Sequence, residues 1–128
     1  MEITVGLKAT VTTQVEREDT AAEICSGTLL VYATPCMVAL MEGAACEALE
    51  GTIPEGKSSV GISLDIAHIS ATPVGMEVRA EAEVTEVDGN IITFKVTAYD
   101  EAGKIGEGTH KRAIISVQRF LDKTYAKL

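Results

Sequence analysis

Glu42 is the residue of this sequence whose surroundings most suggest chemistry. It lies inside the apolar segment Ala33–Gly51, ATPCMVALMEGAACEALEG. Apolar residues recur there at helical spacing on most sides of the predicted helix, which is typical of a buried helix. Glu42 is then either an exposed residue at the helix edge, or a buried carboxylate of the kind that serves as a general base or nucleophile. The residues alone leave both interpretations open.

Four further residues are candidates for chemistry. His68 ends a predicted strand, where it could act as an acid, a base or an oxyanion donor, although a lone histidine is more often structural. Thr34 stands at the predicted helix start, and we expect it to cap free N–H groups there, or to orient water or substrate. Lys111 and Arg112, in the segment GEGTHKR, either bind phosphate or lie on a solvated strand edge.

The helix that carries Glu42 has clear start and stop signals. Pro35 is tolerated in the first turn, and Gly51 follows the last apolar residue of the helical pattern. If Thr34 and Glu42 both lie on this helix, they are about 12 Å apart along its axis. Thr34 must then belong to a folded-back segment, or the pocket must combine groups from two subunits.

The remainder of the chain predicts β-strands. β-Branched residues predict a first strand over Leu7–Glu16. Alternating apolar and polar residues predict four more strands after the helix, namely Val60–Ile66, Met76–Val84, Ile92–Tyr99 and Lys104–Gln118. In the first of these we expect one face to hold Val60, Ile62, Leu64 and Ile66. The pattern predicts an α+β fold, an antiparallel sheet curled around one long central helix, in a single domain over residues 1–128.

Two connecting segments could carry function. Thr28–Tyr32, just before the helix, predicts an irregular approach segment or a lid that could wall a pocket. Gly51–Ser58, GTIPEGKS, matches the phosphate-loop pattern G-x-x-x-x-G-K-[ST]. Such a loop follows a strand and opens a helix, whereas this segment follows a helix and precedes a strand. We therefore reject a nucleotide-binding loop.

Composition limits the function classes. The 128 residues, 46% of them hydrophobic, fit one domain with a sizeable core. The formal net charge of −8 argues against non-specific nucleic-acid binding, which needs a basic face. No uncharged apolar run reaches the roughly 18 residues that span a membrane, and we recognise no secretory signal. We expect a cytoplasmic protein without a membrane partner.

The cysteines and histidines do not predict a metal site. Cys25, Cys36 and Cys46 are odd in number and lack CxxC spacing, so we expect buried thiols in a reducing compartment. Only His68 and His110 could supply imidazole ligands, and no carboxylates cluster around them in the sequence. Zinc is therefore not expected.

Three segments together resemble the hotdog-fold thioesterases of the fluoroacetyl-CoA thioesterase-like family. They are Ala33–Glu42, Gly61–Gly75 and Gly106–Ile115, and the similarity extends from about residue 6 to residue 120. The resemblance implies a hotdog fold, a homodimer or a dimer of dimers with active sites at the subunit interface, and hydrolysis of an acyl-CoA thioester. It implies no metal or redox cofactor, with CoA present only as part of the substrate.

The resemblance also implies roles for individual residues. The family's catalytic threonine, glutamate and histidine fall on Thr34, Glu42 and His68. The glycine that lines the acyl site falls on Gly61, and the arginine near the CoA falls on Arg112. Lys111, beside it, is a second candidate cation for the substrate.

Two positions differ from the fluoroacetyl-selective member of that family. Thr28 stands where that enzyme has an aromatic gate, and Gly43 stands where it has a bulky aromatic residue. We therefore expect a short or small acyl group and a roomier pocket, not fluoroacetyl selectivity. A non-catalytic acyl-CoA-binding module is the alternative. A hydratase is disfavoured, because Ala33–Gly51 contains no histidine.

Overall fold

A computed structural model of the protein describes residues 2–128. Five strands form one antiparallel sheet in the order β1-β3-β4-β5-β2. Their bounds are β1 Lys8–Gln14, β2 Lys57–His68, β3 Glu77–Asp88, β4 Ile91–Asp100 and β5 Gly103–Ser116. All five predicted strands are therefore present, although β2 and β3 are longer than expected. Over residues 2–128, no helix is both long and apolar enough to cross a membrane.

The helix α1, Thr34–Ala48, packs on the inner face of the sheet, mainly against β1 and β3. The strands offer this helix mainly small apolar residues, of which Ala80, Ala82 and Ala98 are fully buried, together with the large ring of Phe94. The helix contributes Met37, Met41, Ala44, Ala45 and Ala48 to the same core. Small residues on both sides let the helix and the sheet approach closely. The expected sheet wrapped around a long helix is confirmed.

The outer side of α1 corrects one expectation. We expected burial on most sides, but Thr34, Ala39, Gly43 and Cys46 are exposed. The reason is that the sheet covers one side of the helix only.

The cysteines are likewise less buried than expected: Cys25 and Cys46 are exposed and Cys36 is partly buried, although all three thiols are free.

A β-bulge in β2 corrects the predicted faces of that strand. Gly61 pairs with Arg112 and Ser63 pairs with Lys111, which leaves Ile62 as an extra residue. The register shift places Gly61, Leu64, Ile66 and His68 on the inner face, opposite Arg112, His110, Gly108 and Gly106. Val60 points to the other face. The regular alternation expected from Val60 to Ile66 was therefore wrong.

The chain ends in a second helix, α2, Val117–Tyr125. We expected the last strand to continue to Gln118, because Val117 continues the alternation of Ala113 and Ile115. Instead, β5 ends at Ser116 and α2 begins directly after it. At the other end of β2, Lys57 and Ser58 are strand residues, so no helix follows the phosphate-loop pattern. The expected order, in which this pattern follows a helix and precedes a strand, is confirmed.

Candidate active site

Thr34 and His68 meet where α1 begins and β2 ends. The hydroxyl oxygen Oγ1 of Thr34 lies 2.7 Å from Nδ1 of His68. The expected helix cap was wrong: Ala33 occupies the N-cap position, and no side chain caps the helix. The Thr34 hydroxyl instead bonds to the imidazole, which joins the first turn of α1 to the end of β2.

The environment of His68 favours a neutral imidazole. Burial lowers the pKa of His68, and the backbone of Ser70 only partly offsets this effect. Its Nε2 atom is buried and has no hydrogen-bond partner among residues 2–128. The Thr34 hydroxyl occupies Nδ1, so Nε2 is the ring nitrogen that is left without a partner.

A pocket of about 280 Å³ lies against this pair. Val31 and Tyr32, from the segment before α1, form part of its wall, together with Ile69 and Ser70, which follow β2. Backbone bridges hold the segment in place, with Tyr32 paired to Thr20 and Val31 paired to Pro73. The expectation that Thr28–Tyr32 could wall a pocket is confirmed for Val31 and Tyr32.

Glu42 belongs to a second group of side chains, on the inner face of β2 and β5. Its Oε2 atom is 3.4 Å from Nη1 of Arg112 and 3.9 Å from Nε2 of His110. The Glu42 side chain is 36% exposed, whereas Arg112 and His110 are buried. Glu42 is thus neither free in solvent nor enclosed in the core, and a buried cation lies beside it.

Gly61 makes room for the Glu42 carboxylate. A β-carbon placed on Gly61 would lie 2.5 Å from Glu42 Oε2, 3.2 Å from His110 Cε1 and 3.4 Å from Arg112 Nη1. Gly61 also pairs directly with Arg112 across the sheet. Its lack of a side chain therefore allows the helix carboxylate to reach the sheet.

The Arg112 guanidinium is held by several acceptors. Its Nε donates to Ser59 Oγ at 2.9 Å, and its Nη2 donates to the Ser59 carbonyl at 3.1 Å. Its Nη1 faces both Glu42 and His110. Lys111, by contrast, is exposed and on the opposite face of β5, because neighbouring residues of a strand point to opposite faces. The structure therefore separates Lys111 from Arg112.

His110 belongs to this group, although its place there was not predicted from the sequence. The sequence did contain a signal for this. Residues two apart on a strand share a face, and His110 lies two residues before Arg112. Ser59, which is partly buried and holds the guanidinium, offered no comparable signal.

One chain does not bring the threonine and histidine to the glutamate. Thr34 lies within α1, so about 12 Å of helix separates it from Glu42. Along β2, Gly61 and His68 are roughly 20 Å apart. Thr34 is part of α1 and not of a folded-back segment, so within one chain the Thr34–His68 pair does not reach Glu42. In the part of the chain described here, no group of three or more His, Cys, Asp or Glu is placed to hold a metal ion.

An antiparallel sheet wrapped around a central helix is the architecture of the hotdog-fold proteins. The sequence model of the family FlK, Fluoroacetyl-CoA-specific thioesterase, matches residues 15–118. The fluoroacetyl-CoA thioesterase of Streptantibioticus cattleyicolor is 38% identical over 97 residues, which cover 76% of this chain and 70% of that enzyme. The chain belongs to the FlK family, and it is a thioester hydrolase.

Solved structures agree with this assignment. The structure of the fluoroacetyl-CoA thioesterase FlK matches with a TM-score of 0.95 and 31% identity, covering 100% of this chain and 99% of that one. A hypothetical protein of Thermus thermophilus, described as a thioesterase superfamily member, matches with a TM-score of 0.85 and 29% identity over 98% of both chains. A mutant of FlK has been solved in complex with fluoroacetate and CoA.

Proposed function

We propose that the protein hydrolyses a short or small acyl-CoA thioester with Thr34, Glu42 and His68. The observation that carries this proposal is the 2.7 Å contact between Thr34 and His68 beside a pocket of about 280 Å³. Pockets for drug-sized ligands measure about 300 to 1,000 Å³, so a pocket at the lower limit suits a small acyl group. A hydroxyl and a neutral imidazole there supply the polar groups that orient a thioester carbonyl.

In this proposal a second copy of the chain completes each active site. β2 is an edge strand on which Ile62 is 51% and Leu64 is 40% exposed. Two β2 strands that pair antiparallel about a twofold axis near Leu64 and Asp65 bring Gly61 of one copy beside His68 of the other. Each site then combines the carboxylate of one subunit with the threonine–histidine pair of the other. The assembly is a homodimer or a dimer of such dimers.

The carboxylate of Glu42 attacks the thioester carbonyl carbon or activates the water that does so. In the first route the carbon–sulfur bond breaks, the acyl group forms an anhydride with Glu42, and water then hydrolyses the anhydride. In the second route water adds directly and the acid is released in one stage. His68 polarises the carbonyl oxygen and assists departure of the CoA thiolate, while Thr34 orients the reacting group. The water that is consumed supplies the oxygen of the acid and the proton of the thiol.

The acyl group is proposed to be small but not specifically fluoroacetyl. The related enzyme is a fluoroacetyl-CoA thioesterase, and its mutant complex contains CoA. Here Thr28 and Gly43 replace the aromatic residues expected in a fluoroacetyl-selective enzyme. Arg112 is engaged within the Glu42 group, so exposed Lys111 is the freer of the two cations to contact the CoA phosphates.

Several further expectations belong to the same proposal. The reaction needs no metal or redox cofactor, because side chains supply the nucleophile or base and the oxyanion contacts, and water supplies the proton. Residues 1–128 act as one catalytic domain. We assign the activity to the cytoplasm, where free thiols such as those of this chain persist.

The test is thiol release from a panel of acyl-CoAs that runs from acetyl to long-chain and aryl thioesters. Glu42→Gln is compared with Glu47→Gln, which changes an exposed carboxylate on the same helix. We expect Glu42→Gln to lower kcat by about a hundredfold to ten thousandfold and Glu47→Gln to have no effect. Absence of thiol release by the wild type on every thioester would overturn the proposal in favour of the acyl-CoA-binding module.

A mixing experiment tests the shared site. Thr34→Ala and Glu42→Gln chains are each inactive by the proposal, but a mixed dimer contains one site with both native residues. When the two variants are dissociated and reassociated in equal amounts, we expect about a quarter of wild-type activity. If no activity returns, although mixed dimers form, each site lies within one chain.

A further inference from the structure

The buried histidine His110 has no part in the mechanism proposed so far. Its ring is completely buried and stacks on Phe94, with ring centroids 6.1 Å apart and ring planes at 27°. Burying an imidazole is unfavourable unless its nitrogens are hydrogen-bonded. Both nitrogens of His110 have hydrogen-bond partners, so the surroundings determine the protonation state of the ring as well as its packing.

The two partners determine which nitrogen carries the hydrogen. Nδ1 of His110 lies 2.9 Å from the carbonyl oxygen of Ser63, and a carbonyl only accepts, so Nδ1 donates. Nε2 lies 3.2 Å from Nη1 of Arg112, and a guanidinium only donates, so Nε2 accepts. His110 is therefore neutral, with its hydrogen on Nδ1.

This tautomer completes the support of the guanidinium. Ser59 binds Nε and Nη2 of Arg112 from one side, and His110 receives a hydrogen bond from Nη1 on the other. The remaining hydrogen of Nη1 then points toward Glu42, 3.4 Å away. With both sides held, the guanidinium has little freedom to turn away from the carboxylate.

We propose that His110 is a positioning residue for thioester hydrolysis: its unprotonated Nε2 holds Arg112 so that the guanidinium fixes the Glu42 carboxylate for reaction. The inference rests on the proposed function, because that function makes Glu42 the reacting group. A carboxylate held in one geometry avoids the loss of rate that accompanies a displaced nucleophile or base.

The charges around His110 agree with a neutral ring. Arg112 on β5 and Glu42 on α1 are the charged groups that face it, while β4 presents Phe94 and β2 presents the Ser63 carbonyl. Burial lowers the pKa of His110, the Ser63 contact and Glu42 act in the opposite direction, and Arg112 lowers it further. Protonation would direct an N–H group at the guanidinium.

Two substitutions of His110 each remove one of its two hydrogen bonds and can keep the other. In His110→Gln the side-chain oxygen can occupy the place of Nε2 and accept from Arg112, while the Ser63 contact is lost. In His110→Asn the side-chain amide can keep the Ser63 contact, while Arg112 loses its acceptor. We expect His110→Asn to lower kcat at least about tenfold with little change in KM, and His110→Gln to retain most of the wild-type kcat.

The outcomes separate positioning from simple packing. Equal losses of kcat in the two variants, or losses that follow their thermal stability, would overturn the positioning role. A rise in KM without a fall in kcat would also overturn it, because it would connect His110 with substrate binding. Thiol release by the wild type, measured alongside, tests the proposed function separately.

A spectroscopic measurement tests the hydrogen-bonding basis of the inference, whether or not a substrate is found. Nitrogen-15 NMR of the imidazole distinguishes a protonated Nδ1 from a protonated Nε2. We expect His110 to show a bare Nε2 and a protonated Nδ1 from pH 8 down to about 6.5, the ordinary pKa of histidine. A hydrogen on Nε2, or a protonated ring in that range, would overturn the inference.

Discussion

Three residues on two strands determine the surroundings of the Glu42 carboxylate. Gly61 leaves space for the carboxylate, Arg112 provides the opposite charge, and His110 holds Arg112. A position on an apolar helix predicted an unusual carboxylate but not its partners, since those lie far away along the chain. Arg112 was identified through the family resemblance, but its contact with Glu42 could be seen only in the folded structure.

Adding one methyl group at Gly61 tests the space around Glu42. In Gly61→Ala the new β-carbon would collide with Oε2, the mobile end of a side chain, so the carboxylate shifts while the backbone stays in place. We expect kcat/KM to fall by up to about a hundredfold, because the reacting group is displaced by roughly 1 Å. Ser58→Ala, an exposed position on the same strand, is the control. Full activity in Gly61→Ala would mean that the carboxylate does not act at this location.

The two histidines predict how stability depends on pH. Burial lowers the pKa of both His68 and His110 in the folded protein, whereas in the unfolded chain each titrates near about 6.5. Their contribution to stability is complete above that pH. As the pH falls toward the lowered folded values, the unfolded chain binds protons that the folded protein does not, so the free energy of unfolding decreases.

We expect this decrease to approach at most about 1.4 kcal/mol per pH unit for each histidine below pH 6.5. Denaturant unfolding at a series of pH values measures it, with His110→Gln as the comparison. The variant should show a shallower decrease than the wild type. An identical slope would mean that His110 does not remain neutral in the folded protein.

At the scale of elements, β2 shows what alternation can and cannot predict. The apolar pattern correctly located the strands, most clearly β3 and β4, which bury alternate residues on the face that packs against α1. It could not locate the bulge, since Ile62 is an apolar residue at a position that fits regular alternation. The same limit applies at the end of β5, where Val117 fits a strand and yet begins α2.

The exposed edge of β2 predicts the effect of a charge at the bulge. Ile62→Glu places a carboxylate on each of two paired β2 strands, near the proposed twofold axis. We expect the variant to lose the dimer and most of its thiol release, with light scattering reporting the mass. Val87→Glu, which adds the same charge at a partly exposed apolar position of β3, is the control. A dimeric and active Ile62→Glu would move the subunit interface to another surface.

At the scale of the whole molecule, α2 contributes little to the fold of one chain. It has no buried residue, and it packs mainly against β5. A chain truncated after Ser116 should therefore keep its fold, with a melting temperature lowered by less than about 5 °C, since exposed segments contribute little to stability. Calorimetry of the truncated and full chains makes the comparison. A larger loss would show that α2 covers another surface in the assembled protein.

The distance between Thr34 and Glu42 along α1 has a consequence for how much enzyme a cell obtains from a given number of chains. If an active site forms only when two chains meet, the number of sites grows with the square of chain concentration at high dilution and linearly once pairing is complete. Specific activity then rises with the amount of protein present. Synthesis of the chain alone can therefore set a threshold for hydrolysis, without any bound effector.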